Sequence, residues 1–540
     1  MKVLRFIALT LLFVFLGLLL IHGLGSINQD IGRHLKLGEI IWETKSVPKT
    51  NLFSFTEPDH PFINHHWLSE VVFYLLYGII GLKGLIIFKA AIIAVSFWLI
   101  YKAADKKTGL WPFLISAPLG ALVFLNRSDV RPEILSYLFL AFFLFVILRA
   151  KYAEENWSRS PGVIEDPRYR KAISGLYALP FVQILWSNAH IYFVLGPALL
   201  LFFLIDAGFD RERKIALSKI FWIFLVTSAT TILNPNFIKG ALAPLFILKD
   251  YGYTIVENQS IFFLKDYGVQ LATINVFEIS LIVLIIGFIV ALKNGRLNTS
   301  AEVDVSPDHF AKQNGLGKII FEFLAGLTFS ILATKMIRNT GIYALVFTSI
   351  TALNLSAAKP AVKFLKRPVR IIFYLALSVV FAFLIINVVN NNLRSRMQGD
   401  GKFGLEIPAG AGSGIEFIKQ NNIKGPVFNN FDVGSFLIWK LYPEQKVFVD
   451  GRPEAYGVDF FENIYKPMQE DPKMWKYYSE KYDINYVFFA TTDITPWARA
   501  FLFYISQNPD WPLVYKDGSV AVLLKRTSAN SALIKKLEIK

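Results

Sequence analysis

The chain has 540 residues, 54% of them hydrophobic, and a mean hydropathy of +0.44; one water-soluble core cannot bury that much apolar surface, so the bilayer is part of its solvent. A formal charge of +15 would suggest a nucleic-acid partner in a soluble protein, but Lys and Arg here fall mainly in short segments between apolar runs, the pattern of topological charge. With no cysteine, disulfides, thiolate metal sites and cysteine nucleophiles are excluded.

The first apolar run, Val3 to Leu24, follows Lys2 and Arg5. It exceeds the apolar stretch of a signal peptide and lacks a convincing small-x-small cleavage site, so it reads as a retained span. A long polar loop follows, then Trp67 to Gly81, flanked by His66, Glu70 and Lys83 and too short to cross comfortably. It predicts a helix lying in the interface. Further spans are predicted near Gly84 to Tyr101, Leu110 to Leu125, Leu135 to Leu148, Ser174 to Trp186, Ile191 to Ile205, Ile220 to Leu233, Phe277 to Leu292, Ile319 to Ala333, Gly341 to Leu355 and Ile371 to Val389, about eleven in all.

With Trp67 to Gly81 lying flat, one set of alternate loops takes most of the Lys and Arg, among them Lys102, Lys106, Lys107, Lys151, Arg211, Arg213, Lys214, Lys359, Lys363 and Lys366. The positive-inside rule then puts the N-terminus in the cytoplasm and everything beyond Asn390 outside, as expected of a multi-pass protein of the plasma (inner) membrane.

After residues 1–390, a transmembrane domain with a long first outer loop over 25–83, the pattern changes. Residues 391–413 read as a linker, with Gly401 to Gly414 its flexible part. Over 414–528, β-rich runs at Val427 to Phe431, Lys446 to Asp450, Asn485 to Ala490 and Val520 to Leu524 alternate with helical patterns at Gly414 to Gln420 and Pro472 to Tyr482. That alternation predicts an extracytoplasmic α/β domain, with a hairpin turn at Lys516-Asp517-Gly518-Ser519 and a C-terminal tail over 529–540.

Asp30, His34, His65, His66, Glu70, Asp129, Arg131, Asn188, His190, Asn234, Lys335 and Arg338 all fall at or near outer span ends under this topology. Charged groups at membrane depth are costly unless paired or facing water, so their collection on one side points to a functional site. Asp30, directly after the first span, is placed to accept a proton from an attacking hydroxyl, with pairing to Arg33 as its structural alternative. Glu70, Asp129, His65 and His66 are candidates for acid/base work or acceptor binding, and the adjacent histidines leave room for a divalent metal without specifying one. Arg33, His34, Arg131, His190, Lys335 and Arg338 are candidates for a lipid phosphate; Lys335 and Arg338 have the spacing of one helical turn. Glu133, after Pro132, suits a helix N-terminus. Asp450-Gly451-Arg452 ends an apolar run, a position where α/β sheets place function, with a structural Asp450–Arg452 pair as the alternative. There is no P-loop, dinucleotide glycine fingerprint, His-Glu-x-x-His or nucleophile elbow.

These residues resemble a family. The first span, Asp30, Gly38, Pro48-Lys49-Thr50-Asn51-Leu52-Phe53-Ser54 and His66-Trp67-Leu68-Ser69-Glu70 are similar to the GT-C class of polyprenyl-phosphate-sugar glycosyltransferases. The C-terminal part, through Asn429-Asn430-Phe431-Asp432-Val433-Gly434, Val449-Asp450-Gly451-Arg452-Pro453-Glu454 and Trp511-Pro512-Leu513-Val514-Tyr515, resembles the appended domain of bacterial members. The resemblance implies a GT-C-like polytopic α-helical membrane protein with a C-terminal α/β soluble domain. It also implies a catalytic acidic residue in the first outer loop, matched by Asp30, and interfacial helices over the sugar site, matched by Trp67 to Gly81. The implied activity is inverting transfer of a sugar from a polyprenyl-phosphate donor in the membrane lipid to a glycan, lipid or protein acceptor. The first loop lacks Asp-x-Asp and the chain lacks Trp-Trp-Asp-Tyr-Gly, which weighs against metal dependence and transfer to asparagine. A lipid-linked glycan transporter or flippase, or a non-catalytic membrane-anchored glycan-binding protein, is the alternative.

Overall fold

The structure, a computed structural model, describes residues 1–24, 30–108, 110–157, 166–209, 217–246, 251–268, 272–294, 319–358, 367–397, 402–407 and 410–539. Of the topological charges named above, Arg211, Arg213, Lys214, Lys359, Lys363 and Lys366 lie outside the described residues. The chain forms two compact units, one of residues 1–22, 86–237 and 255–405, the other of 23–85, 238–254 and 406–540.

The first unit is helical. Lys2–Leu20, the later part of Trp67–Thr108, Leu110–Phe124, Glu133–Trp157, Leu179–Ala189, Leu195–Phe209, Leu217–Thr230, Ala272–Asn294, Ile320–Lys335, Thr340–Leu355 and Arg367–Val389 each carry one of the predicted apolar runs. Six helices among the described residues are long and apolar enough to cross a membrane. Helices suit such sequences because lipid offers no hydrogen bonds, and a helix satisfies its own backbone. Thr340–Leu355 is buried on all sides. Leu110–Phe124 packs close to it through Gly120, where a methyl group would collide with the Thr348 hydroxyl, as small residues permit between membrane helices. Outward, Ile282, Ile285, Ile289, Ile372, Val379, Phe383 and Ile386 are exposed, apolar faces of the kind a bilayer covers. Lys151, expected among solvated loop charges, is instead buried, its Nζ 2.9 Å from Asp206 and 2.6 Å from Glu322. An ammonium inside an apolar bundle persists only when paired in this way.

The second unit carries a four-stranded sheet of β1 (Val427–Asn429), β2 (Tyr486–Ala490), β3 (Leu513–Lys516) and β4 (Val520–Leu524), in the order β1-β2-β4-β3. β1 and β2 run parallel; β4 is antiparallel to both its neighbours. Every residue of β2 and β4 is buried, because Ile415, Leu437, Ile438 and Leu441 pack in one core cluster and Trp475, Phe501 and Ile505 in another. The predicted turn joins β3 to β4, with Asp517 accepting from the amides of Ser519 and Val520. The predicted helices appear as Gly412–Gln420 and Pro472–Lys481. Residues 398–401, 408 and 409 of the predicted linker lie outside the described residues, and Asn392–Met397 within it is helical.

Lys446 to Asp450 is not a strand. Val447 exchanges backbone hydrogen bonds with Phe53 and Phe55, and the Phe448 amide donates to Asn429 Oδ1 at 2.9 Å. The apolar run is thus buried without joining the sheet. Likewise β1 stops at Asn429, and Phe431 opens a helix, Phe431–Leu441.

Within the first loop the structure has a helix that the sequence reading leaves out, Ile31–Thr44, which buries Ile31, Leu35, Leu37 and Ile41. At Gly38 a methyl group would stand 2.1 Å from the Glu70 carbonyl oxygen, so this helix meets the start of Trp67–Thr108 backbone to backbone. Trp67–Thr108 is broken at Gly81, φ 63° and ψ −175°, where the predicted interfacial segment ends.

Candidate functional site

Asp30 occupies the N-cap position of Ile31–Thr44. One turn on, Arg33 brings its guanidinium to 3.5 Å from Oδ1, and the Ser435 hydroxyl donates to the same oxygen at 3.1 Å. The Asp30 side chain is 28% exposed while Arg33 is buried, so the carboxylate is the part of the pair that solvent or a substrate reaches. Beneath it, His34 Nδ1 lies 2.8 Å from Glu70 Oε1, and Asn64 Nδ2 donates to Glu70 Oε2 at 2.6 Å. Glu70 is wholly buried, as a carboxylate can be when both oxygens are engaged. The ring of His66 lies edge-on to His34, and His65 is adjacent, 4.4 Å between centroids. The fold therefore brings Asp30, Arg33, His34, His65, His66 and Glu70 together.

Asp450 and Arg452 form a second buried group in the same unit. Arg452 grips Asp450 with two hydrogen bonds of 2.7 Å, donates to Asn51 Oδ1 at 2.8 Å, and lies over the rings of Phe62 and Phe53. Tyr456 donates to Asp450 Oδ2 at 2.9 Å. Burial alone would raise the Asp450 carboxyl, but the Arg452 guanidinium overrides it and holds the group below the usual carboxylate range. Gly451 lies against Asp30; a methyl group there would stand 2.7 Å from Asp30 Oδ1.

Asp432 shows the electrostatic cost of gathering acids. Burial first, then the like charges of Asp493 and Asp30, pushes its carboxyl up to about 7. A group raised above its unfolded value, about 3.9, costs stability increasingly as pH rises from about 4 to 7, and the cost is constant above that. In thermal melts, Asp432→Asn is therefore expected to gain on the wild type across that interval, with a fixed lead at higher pH. Parallel curves from pH 4 to 8 would rule this out.

The remaining candidates belong to the helical unit. Arg127 takes Glu133 in a two-pronged pair of 2.8 and 2.7 Å, and Glu257 bridges Arg127 and Arg131 at 2.7 Å each. Glu133 is the first residue of its helix, as expected, but its carboxylate serves Arg127. Arg338 donates to Asn258 Oδ1 at 3.0 Å. Lys335 and Arg338 do not share a helical face: the helix ends at exposed Lys335, Met336 is extended, and Arg338 sits in a separate turn. His190 Nδ1 lies 3.0 Å from the Ser136 hydroxyl, which also accepts from Trp186. Asn188 and Asn234 donate to backbone carbonyls. Asp129 lies in the field of Arg131, His22, Lys89 and Arg127, and Lys89 Nζ is 2.9 Å from His22 Nε2.

Sequence reasoning missed Ser435, Asn64 as a partner of Glu70, Lys89 and Glu257. Lys89, a charge in mid-span, carried a signal; Ser435 carried none. Among the described residues, no three His, Asp or Glu side chains gather to hold a metal ion.

No family model matches the chain, and no curated protein matches it. Solved structures do. The apo oligosaccharyltransferase from Archaeoglobus fulgidus is similar with a TM-score of 0.58 at 11% identity, over 97% of this chain and 74% of that one. The archaeal oligosaccharyltransferase AglB from the same organism, in complex with an inhibitory peptide and a dolichol-phosphate, gives 0.55 at 12% identity, over 96% and 74%. The Archaeoglobus fulgidus enzyme with Zn and sulfate gives 0.55 at 12%, over 96% and 73%. The chain thus has the GT-C-like fold, that of a polytopic α-helical membrane protein with a C-terminal sheet domain.

Proposed function

We propose that the protein is a membrane glycosyltransferase that moves a sugar from a polyprenyl-phosphate donor to an acceptor hydroxyl, with inversion, and that Asp30 is its catalytic base. The observation that carries the reading is the partly exposed carboxylate of Asp30 beside the buried side chains of Arg33, His34 and Glu70, in a GT-C-like fold. The likeness to a structure holding a dolichol-phosphate supports a lipid-linked donor. The charge bias of the loops supports an N-terminus in the cytoplasm and an outward C-terminal domain.

In the reaction, Asp30 orients the acceptor and takes its proton as the new glycosidic bond forms and the bond to the lipid phosphate breaks. Arg33, buried with its guanidinium 3.5 Å from Asp30 Oδ1, is assigned to orienting that carboxylate. Arg131, His190, Lys335 and Arg338 remain separate candidates for the anionic lipid, Arg131 and Arg338 as planar forks suited to phosphate. Glu70 fixes His34, and His65 and His66 are assigned to the acceptor.

The test uses purified full-length protein in lipid nanodiscs, given polyprenyl-phosphate-linked hexoses and amino sugars with lipid, glycan and peptide acceptors, and mass spectrometry of the products. The expected result is an acceptor heavier by one sugar residue and release of lipid phosphate. No transfer from any donor, with uncleaved donor crossing proteoliposome membranes, would replace this reading with that of a transporter.

A further inference from the structure

We infer that Ser435 and Gly451 are positioning residues for the Asp30 carboxylate, so that the C-terminal part of the chain forms the seat of the base instead of a separate binding module. The inference rests on the role proposed above for Asp30. Three observations within one compact unit carry it.

First, Ser435 donates to Asp30 Oδ1 at 3.1 Å, across 405 residues of sequence. Ser435 is buried in Phe431–Leu441, where a serine hydroxyl ordinarily returns to the carbonyl one turn back. Second, Gly451 closes the other side: a methyl group there would stand 2.7 Å from Asp30 Oδ1 and 3.4 Å from Ser435 Oγ. Its backbone is anchored by the Asp450–Arg452 pair that flanks it. Third, the two helices bearing Asp30 and Ser435 approach through Gly32, where a methyl group would lie 2.9 Å from the Ser435 carbonyl oxygen.

An aspartate on a helix end can adopt several staggered rotamers. A donor to one oxygen and a Cα wall against it select one, with Arg33 also held beside that oxygen. A base held in one orientation avoids the reorganisation that a loose one requires in each turnover. The absence of a side chain at 451 is what permits this approach.

The test uses the full-length protein in nanodiscs with the donor and acceptor turned over in the panel above. Ser435→Ala is expected to lower kcat about 10-fold, the effect of one hydrogen bond to a charged group, with KM unchanged. Ser435→Thr, which keeps the hydroxyl, is expected to recover most of it. Gly451→Ala is expected to lower kcat about 100-fold, as a displacement of about 1 Å does. Neither substitution should cost anything further in an Asp30→Asn background, and Ser435→Ala should melt like the wild type. Wild-type kcat in Ser435→Ala and Gly451→Ala, alongside an inactive Asp30→Asn, would overturn this inference and leave the proposed function standing. A fully active Asp30→Asn, or no turnover in the panel, would overturn the reading beneath it.

Discussion

Asp30→Asn is expected to lower sugar transfer by about 100- to 10,000-fold, the range that loss of a positioned general base produces, without altering expression or thermal stability. The substitution is nearly isosteric, and the amide oxygen can still accept from Ser435. The Arg33 contact is long at 3.5 Å, and Glu70 and Asp450 also stand in the field of Arg33, so its guanidinium keeps counter-charges when residue 30 is neutral. The loss should fall on kcat and not on KM, because a base acts on the proton in flight and not on substrate affinity. Asp30→Glu should recover part of the rate, since the longer carboxylate keeps the chemistry and misplaces it in a seat closed by Gly451. A variant with wild-type kcat would show that the proton goes elsewhere, with Glu70 the next carboxylate to examine.

Legibility in the sequence differs from element to element. Apolar runs read well as helices because a bilayer imposes one rule on all of them: satisfy the backbone internally and turn apolar groups outward. Ile31–Thr44 was missed although Ile31, Leu35, Leu37 and Ile41 have helical spacing. Its mix of Arg, His, Lys and Glu gives it the composition of a loop, and its buried polar face makes sense only against Phe431–Leu441 and Trp67–Thr108. Lys446 to Asp450 failed in the opposite direction: its β-rich composition is real, but its backbone bonds go to Phe53, Phe55 and a side chain of Asn429. Asp30, Arg33, Glu70, Asp450 and Arg452 were visible as charges out of place. Ser435 was not, because a serine in a helix is unremarkable until the fold puts a carboxylate in front of it.

Arg452 carries the largest expected effect on stability. Arg452→Met would remove the partner of a fully buried Asp450 and should cost about 3–5 kcal/mol, the penalty for leaving a buried charge uncompensated. The hydrogen bond from Arg452 to Asn51 Oδ1 would be lost as well. The sign of the pH dependence identifies the cause. In the wild type the Asp450 carboxyl is held below its unfolded value, so its contribution is present above about pH 4 and is lost as pH falls toward the folded value. Without Arg452, burial governs and pushes the carboxyl up, so the variant should lose stability as pH rises through the range where Asp450 ionises. Arg452→Lys keeps the charge but not the two-pronged fork and should fall between the two. Adding Asp450→Asn to Arg452→Met should recover a large part of the loss, because the double variant no longer buries a lone charge. Thermal melts of the four proteins from pH 4 to 8 decide the matter: a double variant less stable than Arg452→Met would show that the pair acts through packing of Phe53 and Phe62 around the guanidinium and not through charge.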